Sequence, residues 1–260
     1  MRQISPAAAL LAVAVLPLAL TACSATPKAA PKAAPKAAPK SAPTAATAAT
    51  PGALTSAAAG APATDGPNKG LLTGTGLGPA LAPASFFPAG YAVEVEGERT
   101  SGPGYRKQEV VETPTPDCTL LGGTSWTNIT GITGVSFAQD DYVNKNTSEE
   151  YAQEIDVYQG ATSTTVLGAL GMLSKVCPAF TDDQTHGKVT VTEKPLPGVG
   201  DGAWAITETS PAWQGGTTLV AARVGSAVVT VLVSSSTDKG AAGATRLTTQ
   251  LVGNLKGKSS

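Results

Sequence analysis

Apolar and polar positions divide the chain into three. Residues 7–20 are almost wholly apolar, residues 23–67 show no apolar periodicity, and short periodic segments begin at about Asn68. Residues 91–98 alternate, with Tyr91, Val93 and Val95 set against Ala92, Glu94 and Glu96, the period of a half-buried strand. Residues 107–113 read as a second strand, stopped by Pro114-Thr115-Pro116-Asp117. Residues 132–138 and 150–158 form the next pair, the latter with Tyr151, Ile155 and Val157 as its apolar positions. The polar stretch 140–148 between them is expected to be a hairpin loop.

The period then changes. Val166, Leu170, Leu173 and Cys177 fall at i, i+4, i+7 and i+11, which is one face of a helix over residues 161–177. Thr162, Ser163 and Thr164 offer its N-cap and Pro178 ends it. Cys177 then sits on the buried face, from where a disulfide would pin the helix to the sheet. Four more strands are expected at residues 188–193, 202–209, 217–224 and 227–234. Helical spacing returns with Ala241, Ala244, Leu247, Leu251 and Leu255. Strands, helix, strands, helix is the order of an α+β fold, an antiparallel sheet packed against helices.

The first apolar run has the anatomy of an export signal. Arg2 supplies the positive start, residues 7–20 the apolar stretch, and Thr21-Ala22 the small residues of a cleavage site. It is shorter than the roughly 20 residues of a membrane span and contains Pro17. Leu20-Thr21-Ala22-Cys23 resembles the bacterial lipobox. That resemblance implies cleavage between Ala22 and Cys23, a diacylglyceryl group on the Cys23 thiol, and a location on the outer face of the cell membrane. Two acyl chains suffice for stable anchoring. Three parts follow: a lipoprotein signal peptide (1–22), a lipidated, disordered linker (23–67) and an extracytoplasmic domain (68–260). The linker repeats Pro27-Lys28-Ala29-Ala30 three times and then degrades through Pro39-Lys40-Ser41-Ala42. A proline every fourth residue forbids a helix and favours an extended, solvated chain.

Charge follows the same division. The formal net charge is −1, but all 19 acidic residues and 13 of the 18 basic ones lie from Asp65 onward. The tether is therefore basic and the domain acidic, which argues against nucleic acid as a partner. The lysines of the tether suit anionic headgroups or wall polymers. The chain has three cysteines. With Cys23 taken by lipid, Cys118 and Cys177 remain as a pair in an oxidising setting, expected to form a disulfide, with two buried free thiols as the alternative. No metal site is expected, because the single histidine, His186, has no companion at ligand spacing.

Several short motifs together resemble a group of actinobacterial envelope domains. They are Cys118, the patterned helix ending in Cys177-Pro178-Ala179-Phe180, the turn Leu196-Pro197-Gly198-Val199-Gly200-Asp201, and the Arg223-Val224-Gly225 hairpin before a closing helix. The group includes the extracellular sensor domain of mycobacterial Ser/Thr kinases and lipoproteins of the LpqN type, whose sandwich is similar to that of the photosystem II extrinsic protein PsbP. The resemblance covers about residues 71–255. It implies a non-catalytic ligand-binding or sensor-type domain, with an envelope lipid, glycan or protein as partner.

Motifs for catalysis are sparse. Ser236-Thr237-Asp238-Lys239 matches S-x-x-K of penicillin-binding enzymes without its partner motifs, and a helix start explains it. Gly198, Gly200 and Gly202 lack the spacing of a phosphate loop and read as a tight turn. Asp140, Asp141, Asn144, Asn146, Glu149 and Glu150 offer oxygen ligands to calcium but not in the register of an EF-hand loop. His186 lies near Asp182 and Asp183 with no nucleophile elbow in the chain. Trp126, Trp204 and Trp213 are candidates for a carbohydrate or lipid platform, set against a role in the core. No catalytic residue and no cofactor is expected, and a hydrophobic groove between sheet and helix would take the ligand. The competing readings are an envelope hydrolase or transferase with dispersed catalytic residues, and a structural wall-associated protein.

Overall fold

A computed structural model describes residues 66–111 and 115–258. Ala22, Cys23 and the repeats of the tether lie outside the described residues. The domain is built on one antiparallel sheet of nine strands. In chain order these are β1 (Tyr91–Val93), β2 (Arg99–Thr100), β5 (Ser136–Asn144), β6 (Glu149–Val157), β7 (Ala179–Thr181), β8 (Lys188–Pro195), β9 (Ala203–Thr209), β10 (Gly216–Val224) and β11 (Ala227–Ser235). Their spatial order is β1-β5-β6-β11-β10-β9-β8-β7, with β2 also paired to β5. Two short strands, β3 (Glu109–Val110) and β4 (Ile132–Thr133), pair separately.

Both faces of this sheet are covered. On one lie α4 (Ala241–Lys256), α1 (Gly74–Leu77) and the 3₁₀ turns Gly78–Ala80 and Ala84–Phe86. Here Ala244, Leu247, Leu251 and Leu255 of α4 pack on Val220, Ala222, Val229, Val231 and Val233. On the other lie α2 (Thr162–Leu170), α3 (Leu173–Val176) and the 3₁₀ turns Cys118–Gly122 and Trp126–Thr130, over Ile206, Leu219, Ala221, Val228 and Leu232. That is why β10 and β11 are nearly unbroken apolar runs. A strand sandwiched between two layers has no wet side on which polar residues could alternate. The groove expected between sheet and helix is accordingly closed along α4, whose inward leucines are all buried.

Several elements depart from the sequence reading. Only Tyr91–Val93 of the expected strand 91–98 is paired; a turn closed by Gly97 N–H to the Glu94 carbonyl follows, and β2 returns onto β5. The segment read as a strand over 107–113 pairs only at β3. The expected loop 140–148 is mostly strand, because Asp140, Asp141, Tyr142, Val143 and Asn144 pair with Gln153 back to Glu149. The turn is confined to the next four residues, where the Asn144 side chain accepts from the Asn146 backbone N–H (3.0 Å). The polar residues of a two-sided strand mimic a loop when read alone.

The helix expected over 161–177 is two pieces, broken at Gly171 and Met172. The Trp204 indole occupies the place a Cβ on Gly171 would take, so the break lets β9 press its tryptophan against the helix pair. Ala161, not a threonine or serine, stands at the N-cap, and Ser163 donates instead to the Gly225 carbonyl (2.9 Å). Cys118 and Cys177 form the disulfide (S–S 1.98 Å), with Cys177 fully buried. The bridge ties the end of α3 to the 3₁₀ turn Cys118–Gly122, not to the sheet as expected. It thus clamps together the two segments that cover this face.

Candidate functional site

The layer on the disulfide face stops short at one end of the sheet, and a cleft of about 520 Å³ opens there. Its floor follows from strand register. Glu208 of β9 is opposite Thr217 of β10, Thr217 is opposite Ser234 of β11, and Ser234 is opposite Glu150 of β6. Residues directly opposite share a face, so the cleft presents a row of carboxyl, hydroxyl, hydroxyl and carboxyl across four strands. At about 4.8 Å per strand the two glutamates lie roughly 14 Å apart at their Cα atoms. The hydroxyls of Thr217 and Ser234 are hydrogen-bonded to each other (2.9 Å). Leu232 is the apolar part of the floor.

The walls come from turns. Trp213, in the β9–β10 connection, is half-buried and donates its indole N–H to Asp182 Oδ2 (3.2 Å). Asp182 is fixed by the Thr185 hydroxyl and backbone N–H (2.9 Å for the latter), and the hydroxyl bond holds its carboxyl below the usual range. Opposite, Glu149 accepts from the Ser236 backbone N–H (2.9 Å) and from the hydroxyls of Ser235 and Ser236 (3.0 and 2.8 Å). These bonds, the backbone one foremost, bring its carboxyl down to about 2.

Glu208 is different in kind. It is 1% exposed, and neither carboxyl oxygen has a hydrogen-bond partner. Burial, with the Asp182 charge adding to it, pushes its carboxyl up to about 8. Glu150 is pushed up to about 7 by burial and by Asp141. A buried polar atom without a partner costs about 1–3 kcal/mol, so Glu208 is a standing cost that a ligand in the cleft would relieve. In its protonated form it is a donor as well as an acceptor.

The residues singled out in the sequence are dispersed. Of the tryptophans only Trp213 lines the cleft; Trp126 is fully buried and Trp204 packs under the α2–α3 break. His186 is exposed at positive φ in the β7–β8 turn, and no triad forms around it. Among the described residues no three carboxylates, histidines or cysteines converge as a metal site, and the acids of residues 140–150 are spread over both faces of a β-hairpin. The S-x-x-K stretch leads into α4, where Asp238 accepts from the Ala242 backbone N–H (2.9 Å). The glycine-rich turn is a turn: Asp201 accepts from the Gly225 backbone N–H (2.7 Å) and pairs with Arg223 (3.6 Å).

Glu208 and its row were missed because a glutamate in an alternating strand reads as solvent-facing. The signal that finds it is indirect: the apolar runs at 219–222 and 227–233, the latter interrupted only by Thr230, mean that the sheet is covered on both faces, so acids on neighbouring strands are buried too. No protein-family model matches the chain, and no curated protein does.

Proposed function

We propose that this protein is a lipid-anchored lipoprotein of the cell envelope, held by Cys23 on the outer face of the membrane, whose domain binds a saccharide in the Glu208–Trp213 cleft without transforming it. The lipobox-like stretch ending at Cys23 supports the anchor, and the disulfide of Cys118 with Cys177 is in keeping with an oxidising compartment. The cleft has the volume of an ordinary small-ligand site. A half-buried indole beside carboxyls and hydroxyls matches the mixed apolar and hydroxyl surface of a sugar ring. The observation that carries the reading is Glu208, buried at the cleft floor with both oxygens unpartnered.

Binding is favoured over catalysis by the state of the hydroxyls. Ser235 and Ser236 donate to Glu149, whose carboxyl at about 2 is too weak a base to activate them, and the Thr217 and Ser234 hydroxyls are bonded to each other. The resemblance to actinobacterial sensor-type and LpqN-type domains points to the same class of function. The test has two arms. Membrane fractionation of wild type and Cys23→Ala should find the first in the membrane and the second released. Native mass spectrometry of the chain purified from envelope extract should show a retained saccharide, absent in Trp213→Ala. Turnover of that saccharide by the wild type would replace binding by the hydrolase reading, and a bare mass in both chains would refute the ligand.

A further inference from the structure

The cleft is lined by four carboxyls, Glu149, Glu150, Asp182 and Glu208, and by no lysine, arginine or histidine. Lys239 lies on the opposite face of the sheet. Its side chain packs where a Cβ on Gly216 would point, and Gly216 is next to the cleft-facing Thr217 on β10, so the two point to opposite faces. The other buried acids of the cleft's face are answered from within the chain. Glu154 and Asp156 of β6 are hydrogen-bonded to each other, to Ser125 and to Thr127, and the Arg106 charge acts on Asp156. Glu208 has no such company. It is 1% exposed, both its oxygens are unpartnered, and the charge that it feels is a like one, Asp182 on the wall.

We propose that the ligand of this cleft is an amino sugar, its free ammonium held between Glu208 and Asp182. The inference rests on the saccharide reading of the cleft and adds the charge of the ligand. A sugar hydroxyl can donate to one Glu208 oxygen, but it leaves the two carboxyls without a cation. An ammonium brings three donors, enough for both Glu208 oxygens and one on the wall, and its charge answers Asp182 as well. Trp213, whose indole N–H is bonded to Asp182, stands beside the same carboxyl, and an indole face attracts cations. In the free chain Glu208 keeps its proton, because burial pushes its carboxyl up to about 8. When the ammonium enters, the Glu208 O–H bond breaks, the proton goes to solvent, and the carboxylate remains as the partner of the ligand. An N-acetylated sugar has no charge to offer in exchange, so the cleft distinguishes the two. Glu149, whose carboxyl is brought down to about 2, is ionised and adds to the field that draws a cation in.

The probes are a chitosan tetrasaccharide, which carries free amines, and its fully N-acetylated counterpart. Calorimetry on the full-length chain in detergent at about pH 6, where Glu208 is still protonated, compares them. The amine form should bind tighter by about tenfold or more, the margin of a charge-assisted over a neutral hydrogen bond. Repeating the titration in buffers of different ionisation enthalpy should show about one proton released per amine ligand bound. Added salt should weaken the amine form and leave the acetylated form unchanged. Glu208→Gln should abolish both the proton release and the preference, while Trp213→Ala should weaken both forms; circular dichroism checks that the variants fold. Equal binding of the two forms, or a preference for the acetylated one, would overturn the amino sugar and leave the saccharide reading standing. Binding of neither would overturn it too; a saccharide retained from envelope extract would then keep the earlier reading, and a bare chain would remove both. A preference for the amine that survives in Glu208→Gln, with no proton released by wild type, would overturn the assignment of the ammonium to Glu208.

Discussion

Replacing Glu208 by glutamine should remove a large part of the domain's pH dependence, and the size of the effect follows from its surroundings. In the unfolded chain a glutamate titrates near 4.5; in the fold, burial and Asp182 move Glu208 to about 8. Between those values the folded state keeps a proton that the unfolded state has released. Stability is therefore fully present below about pH 4.5 and falls as pH rises through about 8. For this group alone the loss between pH 5 and pH 9 is roughly 4 kcal/mol, with local relaxation and water entry reducing it. That is a substantial fraction of the 5–15 kcal/mol that holds a typical domain folded. The amide introduced by Glu208→Gln does not ionise, and it replaces a carboxyl that has no hydrogen bond to lose. Urea unfolding of both chains from about pH 4 to pH 9 measures it. The curves should coincide at the acid end and separate steadily above about pH 5, with Glu208→Gln the more stable. The other buried acids contribute to both curves and cancel in the difference. Parallel curves, or a variant that loses ground as pH rises, would refute the reasoning.

Other expectations follow from the packing. Leu251→Ala empties a fully buried position between α4 and the sheet and should cost about 3 kcal/mol in urea unfolding. Gly171→Ala places a methyl where the Trp204 indole lies; a cost of about 1–3 kcal/mol should accompany a change in tryptophan fluorescence. Cys118→Ser opens a link spanning 59 residues, and the chain-entropy argument gives a loss of about 4 kcal/mol, matched by reduction of the wild type. Trp213→Ala should weaken saccharide binding by roughly thirtyfold, about 2 kcal/mol, as measured by calorimetry.

The sequence carried the architecture better than the site, for a physical reason. Long segments whose pattern is set by burial, such as β10, β11 and α4, were legible, because apolar runs and the 3.6-residue period survive any tertiary context. The disulfide was legible from the cysteine count once Cys23 was set aside as the expected lipid carrier. What failed was whatever depended on the second layer. Residues 140–144 read as a loop because their acids look solvated, yet they pair along β6. Gly171 gave no warning in a helical pattern that Trp204 would split it. Glu208, Glu154 and Asp156 looked like the wet side of half-buried strands, and only the cover provided by the disulfide-linked turns makes them buried and chemically unusual.

The protonation of Glu208 is where the account of the cleft can be tested most directly. Carbon-13 NMR of the side-chain carboxyl, assigned by its disappearance in Glu208→Gln, follows the titration with and without the saccharide fraction recovered from envelope extract. The cleft as described requires a midpoint near 8 in the free chain, and a displaced midpoint and shift when the ligand is present. A carboxyl that titrates near 4.5 and does not respond to the ligand would contradict both the burial of this group and its place in binding.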